Sequence, residues 1–458
     1  MLRGVYFTRR FGSSLSASFD FNPVQCVHAR QATFLALRYG PLTTVVRMQV
    51  CSQTASRITS RVATVEDVRE LTHVRSVLPN GPTSVMRPDQ SRTGARVKIV
   101  VFGLTVSSSW GNGHATLWRG LCRALARRGH AIVFFERDVP YYREHRDLTS
   151  LPGGDLVLFE DFAEVRGRAE RAVAEADVAI VTSYCPDALP ATDIVLAAPR
   201  ARRVFYDLDT PVTLDRLRRG ENVDYIGSGG LAEFDLVLSY TGGGALDALR
   251  QDLGARRAVP LYGHVDPEVH HPAAPQPQYR CDLSYLGTYA ADRQRALTSL
   301  FVEPARQRPE RRFLIGGAQY PADFPWTENI HFVRHVPPGE HPAFFAGSRL
   351  TLNVTRSAMA AMGWCPSGRL FEATACGGGV ISDHWDGLED FFVPGKEILI
   401  ADSGADVEAA LDCGDAEIRR IAEAGRARTL ADHTSDRRVD ALERALAEIG
   451  VSQATEYV

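Results

Sequence analysis

The sequence predicts an α/β protein with two consecutive domains, each a doubly wound parallel sheet, that face a shared central cleft. Three observations lead to this fold class. The chain has 458 residues, which is too long for one hydrophobic core. Short, continuously apolar segments alternate with helix-length stretches, the pattern of parallel strands that are covered on both faces. A proline-rich connector divides this alternation into two series.

Residues 1–95 differ in texture from the rest of the chain. They are rich in arginine, serine and threonine and poor in acidic residues, and their apolar runs follow neither a helical nor a strand period. We expect an extension without a core of its own, either disordered or the product of a misassigned start codon with Met86 as the true initiator. An organellar targeting leader is the alternative interpretation.

The first β/α series extends from residue 96 to residue 270. Its predicted helix, 116–128, follows the first strand across a loop rich in serine and glycine. The series predicts an N-terminal Rossmann-like domain. Its predicted strands are 97–104, 131–136, 178–182, 204–206 and 236–239.

Residues 271–280 are predicted to be an extended linker, because 271–278 contain three prolines and almost no apolar side chain. A second Rossmann-like domain is predicted over 281–430. A C-terminal helix and tail, 431–458, belong to a helical stretch, 415–449, that we expect to brace the two domains. The strands predicted for the second domain are 283–286, 312–315, 330–333, 350–354, 380–382 and 398–401.

The loop after the first predicted strand combines small residues with a histidine. Gly111 and Gly113 allow close approach of an anion or a sugar to backbone N–H groups before a helix, although a tight structural turn would use the same glycines. The third glycine of a dinucleotide fingerprint is absent, because Thr116 occupies that position. His114 is a candidate catalytic or hydroxyl-binding group, and a surface or packing role is the alternative.

The string Asp207-Leu-Asp209 follows the strand at 204–206. We predict no metal site here, because acidic residues that end a strand shortly before Pro211 readily cap a turn. Asp209 remains a candidate catalytic residue, since it lies where the carboxyl end of a parallel strand meets its ligand. A turn role is its alternative.

The most informative segment is 366–389, which reads as loop, helix, glycine stop and strand. Ser367 is placed to cap the helix, and the N–H groups of Gly368 and Arg369 are expected to face a pyrophosphate. Glu372, one turn later, offers two acceptor oxygens to a ribose diol. The alternative is that Arg369 and Glu372 pair on an exposed helix face.

Residues 371–392 resemble the family 4-like donor-site signature of GT-B glycosyltransferases, especially the group of the CgeB spore-maturation protein. They read F-E-A-T-A-C-G-G-G-V-I-S-D-H-W-D-G-L-E-D-F-F. The loop G-L-T-V-S-S-S-W-G-N-G-H-A and the string D-P-E-V-H-H-P at 266–272 also resemble that group. The resemblance covers about 97–430. It implies a GT-B fold, a nucleotide-sugar donor bound on the C-terminal domain, an acceptor on the N-terminal domain and no catalytic metal.

By the same resemblance, Glu372 binds the nucleotide ribose, and the turn at Gly368 and Arg369 contacts the pyrophosphate. Arg293, which follows Gly287 after the first strand of the second domain, corresponds to a cation on the diphosphate. One departure concerns Trp364, which stands where the retaining branch commonly has a second glutamate. The stereochemical outcome is therefore left open, and Trp364 is expected either to stack on a ligand or to pack in the core.

Composition limits the partners. The net charge of −3 gives no drive toward nucleic acid, and no apolar stretch is long enough to cross a membrane. The eight cysteines show neither metal-ligand spacing nor a disulfide framework, which favours the cytoplasm.

We therefore expect a metal-independent hexosyltransferase without a cofactor. It would move a sugar from a nucleotide diphosphosugar, its co-substrate, to a glycan, a protein or a small molecule. A nucleotide-sugar epimerase or hydrolase on the same fold, or a non-catalytic nucleotide- or glycan-binding protein, are the alternatives.

Overall fold

A computed structural model of the protein describes residues 96–451 and the backbone of three earlier strands, β1 His28–Ala29, β2 Ala32–Tyr39 and β3 Leu42–Met48. These strands pair in the order β1-β2-β3, and both pairings are antiparallel. The sequence pattern assigns no strand there. The prediction that residues 1–95 are an extension lies otherwise outside the described residues. The chain divides into the units Met1–Gln90 and Ser91–Val458, and everything below concerns the second.

The N-terminal sheet lies within residues 96–270. Its strands are β4 Lys98–Gly103, β5 Ala131–Arg137, β6 Gly154–Phe159, β7 Val178–Thr182, β8 Arg202–Asp207, β9 Leu236–Ser239 and β10 Ala258–Pro260. In this range all seven are parallel, in the order β10-β9-β8-β7-β4-β5-β6. The strands that follow β4 are added first on one side of it, as β5 and β6, and then on its other side, beginning with β7. This reversal opens a crevice between the loops that follow β4 and β7.

The sequence pattern locates the inner strands of this sheet and misses both outer ones. β7 and β9 occupy the predicted residues. β6 contains the apolar run 156–159 but buries only alternate residues of it at one edge, and β10 has only three residues at the other. Neither strand therefore has the full burial that the predicted strands share. The helices of this domain are α1 Gly113–Arg127, α2 Pro140–Arg143, α3 Phe162–Ala174, α4 Ala188–Leu196, α5 Thr210–Arg218 and α6 Gly244–Leu253.

The second sheet is also parallel. Its strands are β11 Cys281–Leu286, β12 Phe313–Gly317, β13 Ile330–Arg334, β14 Ser348–Asn353, β15 Val380–Ser382 and β16 Leu399–Ile400. Within 281–400 their order is β13-β12-β11-β14-β15-β16, and each overlaps a predicted strand. The helices of this part are α7 Gln294–Leu297, α8 Glu303–Gln307, α9 His341–Gly347, α10 Ser357–Met362, α11 Gly368–Ala375, α12 Gly404–Asp412 and α13 Asp415–Asp432.

The last helix, α14 Ser435–Glu448, returns to the first domain. Val439 and Leu442 join the core cluster that contains Trp118 of α1, and Arg128 pairs with Asp440 at 2.7 Å. The preceding helix α13 packs on the second domain instead, where Ile418 belongs to the core. The C-terminal stretch therefore contacts both sheets. Among the described helices, we find none with the length and apolarity that a membrane span requires.

Replacing Leu442 with alanine is expected to lower the free energy of unfolding by about 2–5 kcal/mol, because a large buried side chain leaves a cavity. Leu442 is 1% exposed. Urea denaturation followed by circular dichroism measures the effect, with Arg444→Ala at an exposed position of the same helix as the control. Equal denaturation midpoints in the two variants would contradict the packing of α14 on the first domain.

Candidate active site

A cavity of about 490 Å³ lies where the carboxyl ends of the two sheets face each other. It is bordered by the loops that follow β4, β8 and β11 and by the beginning of α11. The structure brings every residue of the predicted site to this cavity. They are Gly111, Gly113, His114, Asp209, Gly287, Arg293, Ser367, Gly368, Arg369 and Glu372. The chemical role of each stays a prediction.

The loop after β4 is held by a buried carboxylate at the end of the neighbouring strand. Glu136 accepts hydrogen bonds from the hydroxyl of Thr105 at 2.6 Å and from the N–H groups of Val106 and Ser107 at 2.8 and 2.9 Å. These donors satisfy the carboxylate away from water. The loop conformation is therefore fixed by contacts between neighbouring strands before any ligand is considered.

The turn into α1 explains the two glycines separately. Gly111 has a φ of 60°, a conformation that favours glycine, so its conformation is a structural requirement. A Cβ atom on Gly113 would meet nothing within 4 Å, so at this residue the backbone is open toward the cavity. Asn112 caps the helix by accepting a hydrogen bond from the N–H of His114 at 3.1 Å. The cap makes α1 begin three residues before the predicted start.

His114 lies in a small charged cluster at the N-terminal side of the cavity. Its Nε2 is 3.9 Å from Asp209 Oδ2, and Arg356 Nη1 lies 3.7 Å from the same oxygen. Burial lowers the pKa of His114 from its ordinary value, while Asp209 raises it and Arg356 lowers it. A neutral imidazole results at neutral pH. Its Nδ1 is buried and has no hydrogen-bond partner among the described residues.

The two acids of the Asp-Leu-Asp string, Asp207 and Asp209, have different surroundings. Asp207 Oδ1 accepts hydrogen bonds from the N–H of Asp209 and the hydroxyl of Thr213, both at 3.1 Å, and therefore organises the turn. Burial raises the pKa of Asp207 to about 6. Asp209 instead faces the cavity. The turn interpretation therefore fits Asp207, and the ligand-facing interpretation fits Asp209.

Two arginines of the second domain enter the cavity without an acidic partner. No described carboxylate lies within 4.0 Å of the guanidinium of Arg293 or of Arg369. Arg369 lies 5.0 Å from the centre of the Tyr285 ring and donates to Asn353 Oδ1 at 3.2 Å, and Arg293 donates to the Tyr285 hydroxyl at 3.2 Å. The Nε atoms of both arginines are buried without a partner among the described residues.

The positive charges of Arg293 and Arg369 lie close enough to repel each other. Burial lowers the pKa of Arg369; Tyr285 raises it, and the charge of Arg293 lowers it further. Gly287 makes room for the arrangement, because a Cβ atom there would lie 2.7 Å from Arg369 Nη2. Partly buried cations without acidic partners are stabilised when an anion reaches them, and a diphosphate has the matching charge and oxygen acceptors.

Ser367 caps helix α11, as the sequence predicts. Ser367 Oγ accepts a hydrogen bond from the N–H of Arg369 at 3.3 Å, so this N–H is used inside the protein. The contact of the Gly368 and Arg369 N–H groups with a pyrophosphate stays a prediction. Arg369 also lines the cavity, where its Nε is buried without a partner among the described residues while its Nη1 donates to Asn353 Oδ1.

The carboxylate of Glu372 lies beside a pair of buried histidines. It accepts no hydrogen bond from the described residues; its oxygens lie 3.9 Å from His270 Nε2 and 3.7 Å from His341 Nδ1. These two ring nitrogens are 3.2 Å apart, and His341 Nε2 lies 3.1 Å from the carbonyl oxygen of Val336. Burial lowers the pKa of each histidine to about 4. The pair predicted on an exposed helix face, Arg369 with Glu372, is not formed.

Comparisons with known proteins agree with this architecture. Residues 293–444, about a third of the chain, match a family model described as glycosyl transferase-like. Sucrose-phosphate synthase from Thermosynechococcus elongatus is 14% identical, with 77% of this chain and 100% of that chain covered and a TM-score of 0.56. The described chain has the GT-B fold.

Two further GT-B structures were solved with ligands. Anabaena Alr3699/HepE in complex with UDP-glucose is 12% identical, covers 77% of this chain and 100% of its own, and has a TM-score of 0.55. The catalytic domain of starch synthase IV from Arabidopsis thaliana, bound to ADP and acarbose, is 12% identical over 78% of this chain and 99% of that chain, with a TM-score of 0.55. None of the curated protein sequences matches the chain significantly.

Trp364 has a packing role in this GT-B chain. Its Nε1 donates to Asp390 Oδ2 at 2.7 Å, and its ring lies between Gly243 of the first domain and Gly387 of the second. A Cβ atom on either glycine would fall within 2.5 Å of the ring. Trp364 is not among the residues that line the cavity, so the contacts favour packing between the domains over ligand stacking.

Sequence reasoning missed three residues that the fold brings to the site. Arg356 follows a predicted strand by two positions, and a charged residue at a strand's carboxyl end is the signal that could have found it. His270 lies in the quoted string at 266–272, and nothing in its spacing indicates a partner. His341 opens α9 and carries no local signal at all, since its partners are distant in sequence.

The pKa of His114 offers a test of this charge arrangement. Asp209→Asn is expected to lower it further, because a nearby negative charge is removed, and Arg356→Gln is expected to raise it. NMR titration of the histidine ring resonances measures both shifts, with the His114 signal assigned through its loss in His114→Gln. Glu389→Gln, beside His384, is the control. Shifts of the same sign in the two test variants would contradict the geometry.

Proposed function

We propose that the protein is a glycosyltransferase that moves a sugar from a nucleotide diphosphosugar to a hydroxyl group of an acceptor. One observation carries this proposal. The cavity between two GT-B domains contains two partly buried arginines, Arg293 and Arg369, without an acidic partner among the described residues, and beside them a carboxylate, Glu372, without a donor. A nucleoside diphosphate supplies both missing partners in one molecule.

The two ends of the donor have different needs, and these residues match them. The diphosphate carries negative charge, which Arg293 and Arg369 meet with N–H donors. The ribose presents a vicinal diol, whose hydroxyls donate to the oxygens of Glu372. Glycosyltransferases of this fold were solved with UDP-glucose and with ADP, which makes sugars of these two nucleotides the first donors to test.

The reaction breaks the bond between the anomeric carbon and the phosphate oxygen, and forms a bond from that carbon to the acceptor oxygen. Negative charge develops on the leaving diphosphate, where the two guanidiniums stabilise it. Holding donor and acceptor together supplies the remaining catalysis. His114 is the proposed group for a sugar or acceptor hydroxyl, because its imidazole is neutral and its buried Nδ1 is free to accept a proton. Asp209 orients this histidine and balances the charge of the proton that the histidine accepts.

Several finer properties belong to the same proposal. Transfer needs neither a metal nor a cofactor, because Arg293 and Arg369 provide the cations that the diphosphate requires. The residues of the donor segment and of 266–272 support a place in the CgeB-like group. The cysteines within 96–451 all carry free thiols, which supports a cytoplasmic location. The acceptor is a glycan, a protein or a small molecule, and not a nucleic acid.

Nucleotide release from pooled UDP-, ADP- and GDP-sugars tests the proposal, with pooled glycan, peptide and small hydroxyl acceptors added or omitted. Release that depends on an acceptor supports transfer. Release without any acceptor indicates a hydrolase, an isomerised sugar indicates an epimerase, and binding without consumption indicates a non-catalytic module. The last alternative is supported by the absence of a carboxylate at Trp364.

Glu372→Ala should weaken nucleotide binding roughly tenfold or more, because a hydrogen bond to a charged group is lost.

Arg369→Met separates ligand binding from stability. We expect nucleotide diphosphates to bind at least about tenfold more weakly, because a charge-assisted hydrogen bond is lost, while thermal stability is unchanged or higher, because an unpaired buried charge is removed. Calorimetry with UDP and ADP and thermal unfolding provide the two readouts. The control Arg428→Met removes an arginine paired with Glu397 outside the cavity and should leave affinity unchanged. Unchanged affinity with lower stability in Arg369→Met would indicate a structural role.

A further inference from the structure

We propose that His270, His341 and Glu372 form a binding site for a divalent transition metal ion such as Zn²⁺, and that the bound metal excludes the donor nucleotide. The site uses the carboxylate to which the proposed function assigns the ribose. Exclusion of the donor therefore rests on that function, whereas metal binding does not.

The three ligand atoms converge from separate parts of the chain. His270 lies just before the linker, His341 opens α9 and Glu372 lies in α11. His270 Nε2 and His341 Nδ1 are 3.2 Å apart, and the carboxylate oxygens lie 3.9 and 3.7 Å from these nitrogens. Zinc bonds of about 2.0–2.2 Å in a tetrahedron place neighbouring ligand atoms roughly 3.3 Å apart. The atoms of this triangle of ligands lie within 4.8 Å of one another, so the site accepts the ion once the Glu372 carboxylate moves toward the two imidazoles.

The donor set is one that zinc uses. Two imidazoles and one carboxylate, with a fourth position left for water or another ligand, form a known arrangement of open zinc sites. His341 and Glu372 line the cavity, so an ion and its fourth ligand have access, while the side chain of His270 is fully buried. The chemistry suits Zn²⁺ better than Mg²⁺, which prefers oxygen ligands in an octahedron.

The orientation of His341 is set from outside the triangle. Its Nε2 lies 3.1 Å from the carbonyl oxygen of Val336, which fixes the proton on Nε2 and turns the Nδ1 lone pair toward His270 and Glu372. A backbone carbonyl in this position is the usual second partner of a metal-binding histidine. His270 then has its Nε2 in the triangle and its buried Nδ1 without a partner among the described residues.

Metal binding has a defined proton balance. Without metal, His270 donates its Nε2 proton to His341 Nδ1, which accounts for the 3.2 Å contact between two neutral rings. When the metal binds, that proton moves to His270 Nδ1, and lone pairs of both rings and of the carboxylate point at the ion. The rings remain neutral and the charge of Glu372 is partly balanced by the metal.

Bound metal has a direct consequence for the donor. The oxygens of Glu372 cannot coordinate an ion and accept hydrogen bonds from a ribose diol at once. Zn²⁺ is therefore expected to compete with the nucleotide, and the same triangle that holds the metal becomes a site of inhibition.

Calorimetry with Zn²⁺ on the full chain, produced without a polyhistidine tag, tests the site. We expect one ion to bind per chain, and His341→Asn and Glu372→Gln each to weaken binding by about tenfold or more. His384→Ala is the matched control, because it removes a histidine that pairs with Glu389 on the surface at 3.2 Å without a third ligand. Equal affinity in all variants, or no saturable binding, would overturn the proposal.

Two further measurements complete the test. Co²⁺ bound to the unaltered chain should give the intense visible absorption of a four-coordinate ion, and a weak octahedral spectrum would overturn the site even if a variant failed to fold. Uridine or adenosine, which offers the ribose diol without the zinc-chelating diphosphate, should weaken apparent Zn²⁺ affinity as its concentration rises; independence from the nucleoside at saturating concentration would overturn the competition. If pooled donors are never consumed while Zn²⁺ binds as described, the proposed function fails and the metal site stands.

Discussion

The placement of two partly buried arginines, Arg293 and Arg369, without an acid to balance them is the constraint on which this site depends. Removing a guanidinium from water costs several kcal/mol, and neutral contacts return only part of that. Arg369 receives an aromatic face and one amide oxygen, and Arg293 receives one tyrosine hydroxyl. The fold tolerates this cost at Gly287, where the missing side chain admits the guanidinium. Favourable packing elsewhere in the protein offsets this energetic cost, and anion binding removes it.

A third arginine, Arg356, lies at the opposite end of the cavity. Arg356 of the second domain pairs with Asp292 at 2.9 Å and lies 3.7 Å from Asp209 of the first domain. Its charge is therefore balanced, and His114 beside it is neutral. The cavity thus has one end where arginines lack acidic partners and can receive a diphosphate, and another end where the arginine is paired with acids beside a neutral histidine. Asp209 also links the two domains across the cleft, because it lies 3.7 Å from Arg356.

Close approach of the two domains is settled by packing as well as by charge. The ring of Trp364 fits between Gly243 and Gly387, where any larger residue would collide with it. Helix α14 reaches back to the first domain and adds Leu442 to its core. These contacts keep the carboxyl ends of both sheets face to face, and this brings Glu372, His270 and His341 to the same wall of the cavity as the arginines.

The sequence by itself determined what depends on neighbouring residues. Apolar runs fixed the inner strands of both sheets, and the order of loop, helix and glycine around Ser367 fixed the beginning of α11, because strand burial and helix capping act over a few positions. The tertiary structure alone decided which of Asp207 and Asp209 faces the cavity, and which partners Arg356 and His341 find. The contacts of His341 with His270 and of Arg356 with Asp209 join atoms more than twenty residues apart, whose distances are set by sheet order and domain packing, and no local pattern records them.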